Sequence, residues 1–323
     1  MVAETLALVL GLGLLPWSAD LFVKGSAAIA HRFHVPPLLI GILIIGLGTS
    51  APEIGVSAVS ALRGNPSLAL GNAYGSNITN IALILGVTAL VCPIIVKSRI
   101  LRKEFPVLAA VTVLAAWQLR DGSVSTLDAW VLLGCLVAIL AAAIRSGFRK
   151  AEEAPEPLAS RKPDQGPAPL PRSLALLAAG LVMLIATSRA LVWGASSIAR
   201  HLGIGDLAIG LTIVAVGTSL PELASSVIAA RRGEHDLALG NVIGSNLFNT
   251  LAVVGIAGAI HPMAVEPAVL SRDMLVMGGL TATLFLIAYS HRKFGRIDRK
   301  EGLILLTCYV AYTAFLARTV LAS

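Results

Sequence analysis

Charge is what this sequence has least of. Only 13% of its 323 residues are Asp, Glu, Lys or Arg, against about 25% in an ordinary soluble domain. Cysteine is scarce too. Cys92, Cys135 and Cys308 lie far apart in or beside apolar segments. They form no metal-ligand spacing and no disulfide framework, and read as small core residues. The opening MVAETLALVL lacks a basic stretch, and the apolar run continues through Pro16 and Asp20 toward residue 30. That pattern reads as a first spanning helix and not as a cleaved leader. No nucleophile–base set or catalytic metal motif is present, so an enzyme is a remote reading. The net charge of +7 is spread over short loops without a basic patch, which argues for membrane topology and against a nucleic-acid partner.

Apolar sequence is what the chain has in excess: 56% hydrophobic residues and a mean hydropathy of +0.83. Long apolar runs recur along its whole length, which makes it an all-α polytopic protein of the lipid bilayer. Ten spans are expected, at about 3–30, 36–62, 67–92, 104–120, 126–146, 173–200, 206–231, 236–260, 272–290 and 302–320. The connections RGNPS (63–67) and RGEHD (232–236) are short enough to force antiparallel hairpins. The one long polar segment, 148–172, is rich in Pro and charge and reads as a flexible linker.

Lys and Arg sort into alternate loops. Those holding Arg32, Lys97 to Lys103, Arg145 to Arg172, Arg231 and Arg232, and Arg292 to Lys300 contain most of the 25 basic residues. The opposite loops hold only Arg63, Arg120, Arg200, Arg272 and Arg318, while Lys24 and Arg189 fall inside spans, where they snorkel or pair near helix ends. Basic loops mark the cytoplasmic side. Both termini are therefore expected outside an inner or plasma membrane, and the linker inside.

Residues 48–80 align without a gap on 217–249 at an offset of 169. The identities include Gly48/Gly217, Thr49/Thr218, Ser50/Ser219, Pro52/Pro221, Glu53/Glu222, Ser57/Ser226, Asn72/Asn241, Ser76/Ser245, Asn77/Asn246 and Asn80/Asn249. Shared apolar residues could follow from composition; a shared Pro-Glu and Gly-Ser-Asn mark a duplication. Each copy holds five spans, an odd number, so the second enters the membrane from the opposite side. The expected organisation is a first five-helix repeat over 1–147, a cytoplasmic linker over 148–172 and a second repeat over 173–323. Inverted repeats of this kind are typical of secondary transporters, with substrate sites near the midplane where helices are interrupted.

Pro52 and Pro221 interrupt their helices. Each lacks an N–H, so carbonyls near Gly48 and Thr49, and near Gly217 and Thr218, lose helical partners. Such a defect persists in a membrane only where something re-satisfies those groups, and a cation would. Ser50, Glu53 and Ser57 share one helix face, as do Ser219, Glu222 and Ser226. Asn72, Ser76 and Asn80 form a polar stripe on the next helix, repeated by Asn241, Ser245 and Asn249. All these ligands are oxygens, the preference of Ca²⁺ and Na⁺. With no His or Cys among them, Zn²⁺ and Cu⁺ are disfavoured. For Ser57, Asn72 and their mates, helix-packing hydrogen bonds are an equal alternative to a ligand role.

GTSAPE with GNAYGSN, repeated as GTSLPE with GNVIGSN, resembles the two alpha motifs (46–80 and 215–249) of the sodium/calcium exchanger family in the calcium/cation antiporter superfamily. The chain is similar to its prokaryotic ten-span members. The resemblance implies Ca²⁺ held by Glu53, Glu222 and the carbonyls of Thr49 and Thr218. It implies Na⁺ sites at Gly46, Thr49, Ser50 and Ser76 and at Ala215, Thr218, Ser219 and Ser245, with Asn80 and Asn249 flanking the centre. It also implies that spans 1 and 6 slide across the other eight. Many relatives carry Asp where this chain has Asn249, which withholds a titratable group, makes K⁺ dependence less expected and leaves the stoichiometry open. The reading is thus a Na⁺/Ca²⁺ antiporter that needs no cofactor and works as a monomer. A Ca²⁺/H⁺ antiporter on the same scaffold is the nearest alternative and a passive cation channel the alternative of another class. Smaller signals, such as GIGD (203–206), similar to an intramembrane aspartyl protease motif, and the acidic residues Glu152, Glu153 and Glu156, carry no competing function.

Overall fold

Backbone groups in hydrocarbon must be satisfied within their own segment, and helices do this. The computed structural model describes residues 1–96, 98–152, 169–203, 213, 215–289 and 295–321, and helix dominates them. Among the described residues helix lies along each of the ten expected runs: Val2–Arg32; Pro37–Thr49 continued by Ala51–Leu62; Ser67–Val91; Ser98–Gln118; Thr126–Glu152; Leu170–His201; Ala215–Thr218 continued by Leu220–Arg231; His235–Ile260; Val269–Met274 continued by Leu275–Tyr289; and Arg299–Leu321. Seven of these, or eight counting the bent pair Pro37–Leu62, are by themselves long and apolar enough to cross a bilayer. The ten are spans 1 to 10 below. The expected ten passes would put both termini on one face and the helix ends Glu152 and Leu170 on the other, called here the linker face.

Span ends fall within a few residues of expectation. The largest departures are span 4, which begins at Ser98, and span 5, which runs on to Glu152. Helix therefore enters both ends of the expected linker, whose middle, 153–168, lies outside the described residues. So do the start of span 7 (204–212 and 214) and with it most of the GIGD stretch. Arg272, expected in a loop, sits inside span 9.

Spans 1 and 6 contain 31 and 32 residues, about 46–48 Å of helix. That exceeds the ~30 Å hydrocarbon core, so they must tilt or protrude. They pack along each other, and their contacts obey a twofold. Ser18 Oγ lies 3.4 Å from Thr187 Oγ1, its own mate at offset 169, so this pair sits on the pseudo-axis. Gly11 abuts Leu191, where a Cβ would come within 2.8 Å of the leucine Cβ. The reciprocal contact pairs their mates, Gly180 and Phe22.

Spans 3 and 8 form the middle: 72% and 83% of their apolar windows are buried, against 33% or less for spans 1, 5, 6, 9 and 10. The polar stripes of the sequence thus run down the two most enclosed helices. Matching turns feed them. Gly64 (φ 75°) and Gly233 (φ 78°) adopt the left-handed conformation that ends a helix. The following N–H groups, of Asn65 and Glu234, return to the carbonyls of Ser60 and Ala229, each at 2.9 Å. Two short antiparallel ribbons lie on opposite faces. Ile94–Val96 pairs with Gly295–Ile297, and Ser123–Val124 with Met263–Ala264.

Candidate functional site

Spans 2 and 7 break at a serine. Ser50 (φ −83°, ψ 0°) and Ser219 (φ −91°, ψ 7°) leave helical geometry, and span 2 bends there by 46°. Pro52 and Pro221 fall in the first turn of the continuing helix, where a missing N–H needs no partner. The interruption therefore sits two residues before the proline. Glu53 and Glu222 occupy that same first turn, where unpaired N–H groups and the helix dipole favour negative charge. At each break a carbonyl end and an amide end meet, with a carboxylate beside them.

The central spans hold the breaks in place by a bond pattern that is duplicated. Asn72 Nδ2 donates to Ser57 Oγ at 3.0 Å and to the Glu53 carbonyl at 3.4 Å. Asn241 Nδ2 donates to Ser226 Oγ at 2.9 Å and to the Glu222 carbonyl at 3.1 Å. For these four side chains the packing role weighed from the sequence is therefore real, and each asparagine fixes the backbone of its glutamate.

The two copies meet through glycine. A Cβ on Gly41 would lie 2.7 Å from the Leu237 carbonyl oxygen, one on Gly240 2.5 Å from that of Leu38, and one on Gly46 3.0 Å from the Ser245 nitrogen. Only bare backbone allows span 2 to lie so close to span 8. At that crossing Thr49 Oγ1 donates to Asn241 Oδ1 at 3.2 Å, and Ser50 Oγ reaches Glu222 Oε1 at 3.5 Å. Glu53 and Glu222 are 2% and 3% exposed. Glu53 Oε2, Glu222 Oε2, Ser245 Oγ, Asn249 Oδ1 and both amide atoms of Asn80 are buried without a hydrogen-bond partner. Each such atom costs about 1–3 kcal/mol when nothing meets it. Among the described residues no three His, Cys, Asp or Glu side chains gather into a metal cluster. What the four helices offer is neutral oxygen around two carboxylates, which suits a hard cation.

Of the other expected positions, Gly46 is buried and its carbonyl accepts from the Ser50 N–H at 3.0 Å. Ser219 is buried at the second break, and Ala215 opens the short helix Ala215–Thr218. Ser76 and Thr218 line a cavity of about 270 Å³ with Asn72 and Thr79. Its wall includes the head of span 9 and residues of span 10 from Tyr309 to Leu316, which the expected ten-pass topology puts toward the termini. The mates on the linker face, Asn241 and Ser245, are 1% and 0% exposed. The two repeats thus share a sequence pattern but differ in packing: Asn72 and Ser76 border a cavity, whereas Asn241 and Ser245 are enclosed.

Sequence reasoning passed over Asn77, whose Nδ2 donates to Thr250 Oγ1 at 2.8 Å across the repeats. Its identity with Asn246 was the available signal. It gave no sign of Asp273, which sits in a π-helical turn, Val269–Met274, at the head of span 9. Similar wide turns, Thr79–Ile84 and Asn249–Val253, adjoin the central asparagines.

Comparison with known proteins accords with this geometry. The sequence model of the family described as sodium/calcium exchanger protein matches residues 3–145 and 172–318. The sodium/calcium exchanger MaX1 of Methanosarcina acetivorans is 31% identical over 344 residues, covering 96% of this chain and 97% of that protein. The putative antiporter CaxA of Alkalimonas amylolytica is 45% identical over 314 residues, covering 97% and 98%. Among solved structures, the sodium-calcium exchanger NCX_Mj soaked with zero Na⁺ and Ca²⁺ superposes with a TM-score of 0.84 at 34% identity, covering 98% of this chain and 99% of that one.

Proposed function

The chain belongs to the sodium/calcium exchanger family, and on that premise we propose that it drives Ca²⁺ across the membrane against Na⁺ by alternating access to one midplane site. As a member of that family it is a multi-pass membrane antiporter of cations and not an enzyme. In the proposed cycle Glu53 and Glu222, with the carbonyls of Thr49 and Thr218, hold Ca²⁺. Gly46, Thr49, Ser50 and Ser76 on one side, and Ala215, Thr218, Ser219 and Ser245 on the other, hold Na⁺, with Asn80 and Asn249 between them. Because the ions share ligands, the carrier takes one kind or the other per stroke. The functional units are 1–147 and 173–323, joined by a cytoplasmic 148–172, with both termini outside an inner or plasma membrane and one chain sufficient.

The observation that carries this reading is the set of partnerless buried oxygens on spans 2, 3, 7 and 8, at the contact of the repeats. Na⁺ is chosen over H⁺ because the side chains beyond the two carboxylates are hydroxyls and amides, which do not titrate near neutral pH. Proton coupling would need only the carboxylates, whereas several Na⁺ ions need the neutral oxygens as well. The test is proteoliposomes loaded with Na⁺ and diluted into Na⁺-free buffer with labelled Ca²⁺, at equal pH on both sides. Accumulation of Ca²⁺ is expected. Uptake that requires a proton gradient and ignores Na⁺ would replace this reading by Ca²⁺/H⁺ antiport, and flux without coupling would indicate a channel.

A further inference from the structure

The open cavity holds a second set of oxygens, outside the four helices of the central site. The π-helical turn at the head of span 9 brings Arg272 and Asp273 to the cavity wall together. Asp273 is buried. Arg272 donates Nε to its Oδ1 at 2.7 Å and Nη2 to its Oδ2 at 3.0 Å. Tyr312 of span 10 donates its hydroxyl to the same Oδ1 at 2.9 Å. Among the described residues, Asp273 is the only acid lining this cavity, and Arg272 the only base. The sequence order of the dyad is also copied, although Lys103 donates to Ser146 Oγ at 3.2 Å instead of pairing with its neighbour. Lys103 and Glu104 of span 4 stand 169 positions earlier, base before acid, toward the opposite face.

We propose that Asp273 and the Tyr312 hydroxyl form a holding site for a hard metal cation on its way to the central site, with Arg272 as the counter-ion that the cation displaces. The proposal rests on the cation-antiport reading. A cation entering the protein sheds water, and a carboxylate beside a hydroxyl replaces part of that shell. An uncompensated carboxylate there would be costly and would retain the ion. Arg272 occupies both carboxylate oxygens until a cation arrives, so capture and release exchange one positive partner for another. Such a site is weak and fast, as a staging point must be. The acid of the second copy, Glu104, is positioned to serve the opposite approach when that one opens.

Mn²⁺ is a suitable probe because it prefers carboxylate and hydroxyl oxygen. Purified full-length protein in detergent is titrated with Mn²⁺ and bound ion counted by electron paramagnetic resonance, which needs no transport. A failed antiport assay and a failed staging site are thus told apart. Asp273→Asn is expected to remove a weak class of bound Mn²⁺, and Tyr312→Phe to weaken it several-fold with the Arg272–Asp273 pair intact. Arg272→Gln is expected to tighten it at least threefold, since the carboxylate loses its competitor. A purely structural strut would make Arg272→Gln and Asp273→Asn act alike. Equal effects, or unchanged Mn²⁺ binding in all three variants, would overturn the proposal. Should Asp273→Asn fail to fold, the opposite signs expected for Arg272→Gln and Tyr312→Phe decide it.

Discussion

Arg232 donates Nε to Asp20 Oδ1 at 2.6 Å across 212 positions of sequence, and the repeat mates of these two residues, Arg63 and Arg189, are both arginines. Lys24 holds the other oxygen of Asp20 at 2.7 Å; its mate is Trp193. A further contact on the linker face, His31 to Glu234 at 3.8 Å, corresponds to Arg200 and Asn65. In an inverted-repeat carrier the second access state arises when the two halves exchange conformations. On the alternating-access reading, exchange would bring Arg189 against Arg63 on the opposite face, as Asp20 meets Arg232 on this one. On the proposed alternating-access cycle, the present arrangement is held by opposite charges, and its symmetry-related counterpart would set like charges together.

The first prediction follows. Asp20→Asn should raise the share of molecules open toward the linker face by a few-fold, the scale of an exposed ion pair worth up to about 1 kcal/mol. Arg189→Asp, which restores a pair with Arg63, should shift it the same way. Apparent Ca²⁺ affinity measured from each face, in right-side-out and everted vesicles, reads this as a changed ratio. Unchanged ratios for both variants would show that the pairs do not set the equilibrium.

The second prediction concerns the carboxylates. Glu53→Gln and Glu222→Gln should each abolish Ca²⁺ transport, a loss of at least about 100-fold if one charged ligand contributes some 3 kcal/mol. Both variants should still insert and elute from a sizing column as wild type, because the amide fits the same buried volume. Near-normal flux in either would mean that a two-carboxylate site is the wrong picture.

Much of this architecture could be read from the residues. Ten apolar runs, a gapless offset of 169 and an odd number of spans per copy lead to inverted five-helix repeats without coordinates. The polar stripes on spans 3 and 8 were visible for the same reason, since polar side chains stand out against an apolar helix. The place of each break was not, because Pro52 and Pro221 draw the eye while the backbone turns at Ser50 and Ser219. The ribbons escaped because two or three residues carry no periodicity. Asn77 with Thr250, and Asp273 with Tyr312, depend on which spans become neighbours, which local pattern does not encode. Two copies of one motif also cannot announce that they pack unequally.

The third prediction tests the glycine crossing. Gly240→Val places a branched side chain where even a Cβ would lie 2.5 Å from the Leu38 carbonyl oxygen, and that atom belongs to backbone that cannot swing aside. Overpacking of this kind costs about 1–3 kcal/mol, or more against main chain. A fall in the yield of folded protein and in thermal stability in detergent is expected. Gly71→Val, at the repeat mate, meets nothing within 4 Å and should be tolerated. Equal losses would mean that the two crossings are equally tight.

The fourth prediction uses the broken symmetry of the asparagines. Asn241 is fully enclosed, donates to Ser226 and Glu222, and accepts from Thr49 of the other copy. Asn72 makes the first two bonds in its own copy but borders the open cavity, where water can replace a lost partner. Asn241→Ala strands a buried hydroxyl and carbonyl, at about 1–3 kcal/mol for each group left unmet. It also removes the one side chain that ties Thr49 to span 8. Asn72→Ala strands similar groups beside solvent and should cost less. Thermal melting in detergent should therefore show a clearly larger loss for Asn241→Ala than for Asn72→Ala, although the residues are identical in type and in sequence context. Equal losses would mean that both asparagines are equally enclosed in solution.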